Sequence, residues 1–271
     1  MQLDKTRIVI RERNWLDILD LALHVLRAYP ALLPALAAGA IPAGLFNYWL
    51  FGNLLSRTEL LENVPLSYLL WHWQLTLIEA PTATAFVTLY LGKALFMDKP
   101  KPRELLRQFW QCLPQLLCYQ VLVRGIMSLL VITWIVPYLS WPYLNEVILL
   151  ERNPLRGRRG RDISTYRRSS MLHASNNGDF FLWMLGGAIL GPMLVASFWF
   201  SLWFLRGMLG GGWEFDRLMY SVALPAAEWL VLGYFAVVRY LGYLDLRIRR
   251  EGWEVELLLR AERARLVASV A

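Results

Sequence analysis

Four ionisable side chains interrupt the apolar stretches of this 271-residue chain, namely Glu79, Arg124, Glu146 and Glu228. A charge inside hydrocarbon is costly, so such residues mark either a functional site or a buried ion pair. Two kinds of chemistry fit these residue types. An arginine in a polar cavity can hold an anionic headgroup or substrate, and a carboxylate there can pass protons.

Counting along the helices predicts that three of these residues meet. At about 1.5 Å per residue, Arg124 and Glu228 lie about 16 Å, and Glu79 about 21 Å, from the cytoplasmic ends of their segments. We therefore predict an intramembrane charge cluster of Glu79, Arg124 and Glu228. It either lines a cavity or locks three helices together as an ion pair, and we favour the lock. A proton relay has less support, because His72 is predicted near the outer interface and no other histidine is close.

The sequence lacks the common signatures of enzymes and cofactor sites. The histidines at 24, 72 and 173 are far apart and are predicted on different sides of the membrane, so they do not suggest a metal site. Cys112 and Cys118 are read as small core residues. There is no Gly-rich phosphate loop, no Gly-x-Ser-x-Gly elbow and no His-Glu-x-x-His. We expect no catalytic residue, no metal and no cofactor, and we expect that the protein is not an enzyme.

The composition indicates a membrane protein. Apolar residues make up 57% and charged residues 18% of the chain, and the apolar residues come in blocks of about 20, the length of a helix that crosses a bilayer. The net charge of +7 does not suggest nucleic-acid binding, because the basic residues lie between the apolar blocks, as the positive-inside rule requires.

The pattern predicts an all-α integral membrane protein with about six transmembrane helices and interfacial amphipathic helices. The predicted domains are a cytoplasmic N-terminus with an amphipathic interfacial helix (1–29), a six-span domain (30–242) and a charged helical tail (243–271). Spans three and four are predicted to form a hairpin around Pro137–Pro142, and span four is short or re-entrant. The predicted spans are Ala31–Leu54, Leu75–Leu95, Leu113–Val136, Tyr138–Leu150, Phe180–Leu205 and Leu218–Leu241.

The distribution of Lys and Arg predicts the orientation. Nearly all of them lie in the N-terminus, in the connectors 93–109 and 151–168, and in the tail, whereas the opposite face receives only Arg57, Arg206 and Arg217. Both termini are therefore predicted to be cytoplasmic. No cleavable signal peptide is expected at the N-terminus.

The connector 151–168 is the most basic loop of the chain. It contacts anionic lipid headgroups or an acidic segment of a protein partner, or its charge serves the topology alone under the positive-inside rule, and we favour the topology. The residues predicted to make these contacts are Arg152, Arg156, Arg158, Arg159 and Arg161.

Five segments together resemble a superfamily of bacterial six-span membrane proteins. That superfamily includes the membrane domain of glycerophosphodiester phosphodiesterases and related domains of unknown function. The segments are "ILDLALHVLRAYPALL", "YLGKALF", "WIVPYLSWPYLNEVILLERNP", "RRSSMLHASNNGDFF" and "YLGYLDLRIRREGWEVELLLR". The resemblance implies an all-helical fold with an internal hairpin in the bacterial inner membrane. It does not imply phosphodiesterase activity, because that chemistry belongs to a separate soluble domain that is absent here.

Two functional hypotheses follow from the sequence. The first is a non-enzymatic scaffold or accessory subunit that presents a cytoplasmic docking surface to a protein partner. The alternative is a transporter or lipid-handling protein that uses the charge cluster of Glu79, Arg124 and Glu228, and that would need to form a homodimer. An intramembrane enzyme ranks third.

Overall fold

A computed structural model describes residues 14–55, 64–94, 100–129, 141–155, 157, 163–173, 177–210 and 212–251. All regular structure in these residues is helical, and they contain no strand. The all-α prediction is therefore confirmed.

Ten α-helices are present in the described residues. They are α1 (Trp15–Ala28), α2 (Leu32–Phe51), α3 (Leu66–Ala83), α4 (Ala85–Ala94), α5 (Pro102–Leu116), α6 (Arg124–Leu129), α7 (Leu144–Glu146), α8 (Thr165–His173), α9 (Asn177–Met208) and α10 (Leu224–Glu251). Wider π-helical segments join α5 to α6 (Leu117–Val123), follow α7 (Val147–Glu151) and precede α10 (Met219–Ala223). A 3₁₀ turn, Gly52–Leu54, ends α2.

Four helical segments are long and apolar enough to cross a membrane. They are Leu32–Leu54, Leu66–Ala94, Phe181–Met208 and Met219–Arg250, of 23 to 32 residues. At about 1.5 Å per residue each of them exceeds the roughly 30 Å of hydrocarbon in a bilayer. Many large apolar side chains on them are exposed, which is the arrangement expected of a surface that faces lipid.

Two helical segments that carry ionisable residues, Leu66–Ala94 and Pro102–Leu129, extend beyond the limits predicted for spans two and three. The predicted second span, Leu75–Leu95, is the second part of a helical segment that begins at Leu66. The expected boundary between an interfacial helix and span three is also absent, because helix continues from Pro102 to Leu129 without interruption. Positions 130–140, which include the rest of span three and the predicted hairpin turn, lie outside the described residues.

Helix α10 is the central element of the bundle. It packs against α1, α2, α4, α8 and α9, and most of its apolar side chains are buried. It also continues to Glu251 through the predicted boundary between membrane domain and tail at 242/243. The amphipathic helix predicted at the N-terminus is present as α1, and its buried residues Ile18, Ala22 and Val25 belong to the same apolar core as Val237 of α10.

Helix α9 is peripheral. None of the residues in its apolar stretch is buried by the rest of the bundle. Three glycines bring it close to its neighbours. A Cβ at Gly186 would overlap the Trp15 ring, and Gly187 and Gly191 lie against Phe235. Small residues allow close approach of helices in a membrane, so α9 docks through a narrow glycine face.

Candidate functional site

A polar stripe runs along one side of α3. Tyr68, His72, Thr76 and Glu79 follow one another at spacings of four, four and three residues, which places them on one face of a helix. Tyr68, His72 and Thr76 are buried, and Glu79 is partly buried. This face therefore points into the bundle and not towards lipid.

His72 and Glu228 form a buried pair between α3 and α10. His72 Nε2 lies 2.8 Å from Glu228 Oε2, and the two side chains are 1% and 3% exposed. The Tyr68 ring stacks on the imidazole at 5.3 Å between centroids. The sequence analysis did not anticipate that the α10 carboxylate meets His72 inside the bundle, and the position of His72 near the outer interface stays a prediction.

Polar groups connect this pair to one end of the bundle. The Tyr68 hydroxyl donates to the Tyr220 carbonyl at 3.3 Å, and Tyr48 is close enough to interact with it electrostatically. Tyr48 is 40% exposed and accepts a hydrogen bond from Arg217 at 2.8 Å. Two tyrosine side chains, Tyr68 and Tyr48, therefore connect His72 to the exposed Arg217.

Asn47 of α2 contacts the middle of the stripe. It is fully buried, its Nδ2 donates to Thr76 Oγ1 at 3.2 Å, and it is also within hydrogen-bonding reach of the Glu79 carboxyl. Asn47 Oδ1 and Glu79 Oε2 are buried and make no hydrogen bond with the described residues.

A kink between α3 and α4 follows Glu79. Pro81 lies inside α3, and the helix breaks at Thr84. Side-chain donors bind the carbonyl groups at the kink. Thr82 donates to the carbonyl of Glu79 at 2.7 Å, Thr84 to that of residue 80 at 2.6 Å, and Asn145 Nδ2 to that of Pro81 at 3.0 Å. A proline kink in a membrane helix persists when its carbonyl groups are paired in this way.

A second ion pair lies further along α10. Arg239 Nε donates to Glu146 Oε1 at 2.6 Å, and the Glu146 side chain is fully buried while that of Arg239 is 26% exposed. Glu228 and Arg239 are eleven residues apart, about three helical turns, so both pairs lie on the same face of α10. The short segment Leu144–Glu151, which carries Glu146, is almost entirely buried.

The third charged site surrounds Glu151. Arg168 donates two hydrogen bonds to its carboxylate, at 2.6 and 2.9 Å, and the Tyr243 hydroxyl donates a third at 2.7 Å. Arg247 lies 3.9 Å away. Burial alone would raise the pKa of Glu151, but the hydrogen bonds from Arg168 and Tyr243 and the charges of both arginines lower it below its usual value.

Hydrogen bonds also close the base of the arginine-rich connector. The Thr165 amide donates to the Pro154 carbonyl at 3.1 Å. Gln115 of α5 donates to the Asn153 carbonyl at 3.1 Å and to Thr165 Oγ1 at 2.5 Å. The two ends of the segment 154–165 are therefore held together and are fixed to α5 and α10.

Each residue of the predicted charge cluster has a hydrogen-bonding partner outside the cluster. Glu228 pairs with His72, Glu79 is beside Asn47, and Arg124 donates to Gln120 at 3.0 Å. Counting residues from the ends of the helices does not give the direction in which each side chain points, and the meeting of the three charges stays a prediction.

Of the arginines predicted to contact lipid or a partner, Arg152 is exposed and has a left-handed backbone, with φ of 55°. Arg156, Arg158, Arg159 and Arg161 lie outside the described residues.

Three comparisons with known proteins and families found no match for the chain. No family model matches it, and no curated protein or solved structure is similar to it. The three histidines lie on α1, α3 and α8. In the described ranges, no group of three or more His, Cys, Asp or Glu side chains could hold a metal ion.

Several functional residues have no counterpart in the sequence-based prediction. Asn47, Asn145 and Arg239 hold helices together inside the bundle, yet the prediction concerned carboxylates and Arg124. The signal for the α3 stripe was present in the sequence, since Tyr68, His72 and Glu79 recur at helical spacing within an apolar segment. No comparable pattern identifies Asn47, because it is an isolated polar residue of α2.

Proposed function

We propose that this chain is a non-enzymatic multi-pass membrane protein that acts as a scaffold or accessory subunit. Its arginine-rich connector would dock an acidic segment of a protein partner. On this proposal the protein lies in a bacterial inner membrane with six spans and both termini in the cytoplasm. The spans beyond the four long helices are Leu113–Val136 and Tyr138–Leu150, as the resemblance to the six-span superfamily implies.

The observation that carries the proposal is the closed base of the connector. Positions 152–164 contain five arginines and one aspartate. The segment is joined at its base by the Thr165 amide and is anchored to the bundle by the pairing of Glu151 with Arg168. A strongly basic segment on a rigid base suits the recognition of an acidic partner, because charge complementarity favours both encounter and register.

The buried charges support a structural role for the bundle. The pairs His72–Glu228 and Glu146–Arg239 each join two helices inside the bundle, with carboxylate side chains 3% and 0% exposed. Transport of an anion would favour polar groups that open to water. Paired charges instead hold α3, α7 and α10 in fixed positions and so support a stable platform.

The proposal can be tested by affinity purification of the full chain in mild detergent, with mass spectrometry of copurifying proteins and lipids. In the test variant, Gln replaces the five connector arginines. The control replaces Lys101, Arg103 and Arg107, which are exposed at the start of α5. We expect a stoichiometric protein partner that the control retains and the test variant loses. Absence of such a partner, or equal loss in both variants, would contradict the proposal.

The alternative function is transport or lipid handling through Glu79, Arg124 and Glu228, by a homodimer in contact with anionic lipids. It is favoured by the buried atoms Asn47 Oδ1, Glu79 Oε2 and Glu228 Oε1, which have no partner in the described residues. An enriched lipid or small anion that is lost from a stably folded Arg124→Ala variant would support this alternative over the scaffold.

A further inference from the structure

The His72–Glu228 pair lies close to one end of the bundle. His72 is six residues beyond Leu66, the first residue of α3, which corresponds to about 9 Å along the helix. Tyr68 covers the imidazole, and Tyr48 and Arg217 lie between Tyr68 and the surface. Protons from the aqueous phase at this end thus have a short distance to travel.

The hydrogen bond leaves one nitrogen of the imidazole free. When Nε2 donates to the Glu228 carboxylate, Nδ1 carries a lone pair, and Nδ1 is buried without a partner in the described part of the chain. In this state the pair carries one negative charge. A proton added to Nδ1 would produce an imidazolium paired with a carboxylate, so the net charge of the pair would become zero.

Two opposing costs balance the two protonation states. The unprotonated pair leaves a net negative charge inside the bundle, which a medium of low polarity disfavours. The protonated pair removes that charge but leaves an Nδ1–H donor without an acceptor. Stacking on the Tyr68 ring favours the imidazolium, because the face of an aromatic ring attracts cations. Neither state satisfies every group, and such a site responds to the pH around it.

The neighbouring charged and titratable groups come from each element beside the pair. Tyr48 lies on α2, Glu79 lies two helical turns along α3, Tyr220 lies in the π-helical segment before α10, and Arg124 lies on α6, which packs against α3. Arg124 also donates to Gln120.

We infer that His72 and Glu228 form a proton-binding site inside the bundle. The pair takes up one proton from hydronium at the end of the bundle marked by Tyr48 and Arg217, forming an N–H bond at His72 Nδ1 and leaving water. Release reverses the same step. This activity is independent of the docking role of the connector, which lies beyond the other end of α10.

The proton is observed directly by NMR of the full chain in nanodiscs, with ¹³C and ¹⁵N in histidine alone. The chain contains three histidines, so replacing His24 and His173 by Gln leaves His72 as the single labelled ring. Spectra are recorded over the interval from about pH 8 to pH 5, and we expect the ring signals to change from the neutral to the cationic form as the pH is lowered. A ring that keeps one protonation state across this interval would overturn the inference.

A pair of carboxylate variants tests the role of Glu228. Glu228→Gln keeps the shape but removes the charge, so we expect the titration midpoint of His72 to differ from that of the chain with native Glu228. Glu214→Gln removes an exposed carboxylate near the same end and should leave the midpoint unchanged. Equal midpoints in the two variants would refute the pairing. If Glu228→Gln does not fold, the titration of the chain with native Glu228 decides whether the proton binds.

Discussion

Removing one partner of the Glu146–Arg239 pair should destabilise the bundle strongly. Glu146 is fully buried, and Arg239 Nε lies 2.6 Å from its carboxylate. Two unit charges about 4 Å apart attract by about 4 kcal/mol at an effective dielectric constant of about 20. Arg239→Met removes this attraction and leaves a buried negative charge, so we expect a loss of about 3 to 5 kcal/mol in the free energy of unfolding.

The double variant Glu146→Leu with Arg239→Met shows whether the loss of stability comes from the unpaired charge or from the changed packing. It leaves no unpaired charge, and buried ion pairs can often be replaced by apolar residues without loss. We therefore expect the double variant to be more stable than Arg239→Met alone. The assay is reversible unfolding in mixed micelles at increasing fractions of denaturing detergent, followed by the exposure of tryptophan.

Lys93→Met is the matched control for this experiment. Lys93 and Glu104 also lie 2.6 Å apart, but the Glu104 side chain is 48% exposed, and solvent-exposed pairs contribute little to stability. If Arg239→Met destabilised the protein no more than Lys93→Met, or if the double variant lost the sum of both single effects, the Glu146–Arg239 pair would not act as a lock between helices.

Two further predictions concern helix packing and pH. Gly39→Ala would place a Cβ against the Ala83 carbonyl, where the backbone leaves no room. We therefore expect a clear loss of folded protein in size-exclusion chromatography. The control Gly44→Ala, with space around the added Cβ, should behave as the native chain does. The lowered pKa of Glu151 contributes stability at neutral pH that is lost as the pH falls below about 4. In thermal unfolding from pH 7 downwards, we expect Glu151→Gln to be less stable than the native chain at neutral pH and to lose less stability on acidification. An unchanged dependence of stability on pH would show that the pairing with Arg168 is not the cause.

The sequence predicted the elements of the fold better than their contacts. Runs of about twenty apolar residues identify membrane helices because the bilayer requires that length, and the amphipathic spacing around Ile18 identified α1. The continuous helix from Pro102 to Leu129 was not predicted, since the change from polar to apolar residues was interpreted as a boundary. A helix can cross such a change without a break when its apolar face is buried along its length.

The partners of the buried charges could not be predicted from depth alone. Glu228, Glu79 and Arg124 were expected to meet because counting residues gave them similar depths, but such a count leaves the rotation of each helix undetermined, and the meeting of the three charges stays a prediction. His72 shows the difference, since its spacing from Tyr68 and Glu79 places it on the buried face of α3. The repeated spacing of polar residues within an apolar segment was therefore more informative than the distance of each residue from the end of its span.

The long separation between the partners of the His72–Glu228 pair affects how the protein is made. The two residues are 156 positions apart in the chain, and ribosomes add about 5 to 20 residues per second. During synthesis α3 therefore exists for roughly 8 to 30 seconds before the partner of its histidine has been translated. In this interval the polar face of α3 must remain in the translocation machinery, bind an insertion chaperone or expose its polar groups to lipid. The His72–Glu228 contact consequently forms only after α10 has been made, and a truncated chain that stops before α10 leaves His72 without its carboxylate partner.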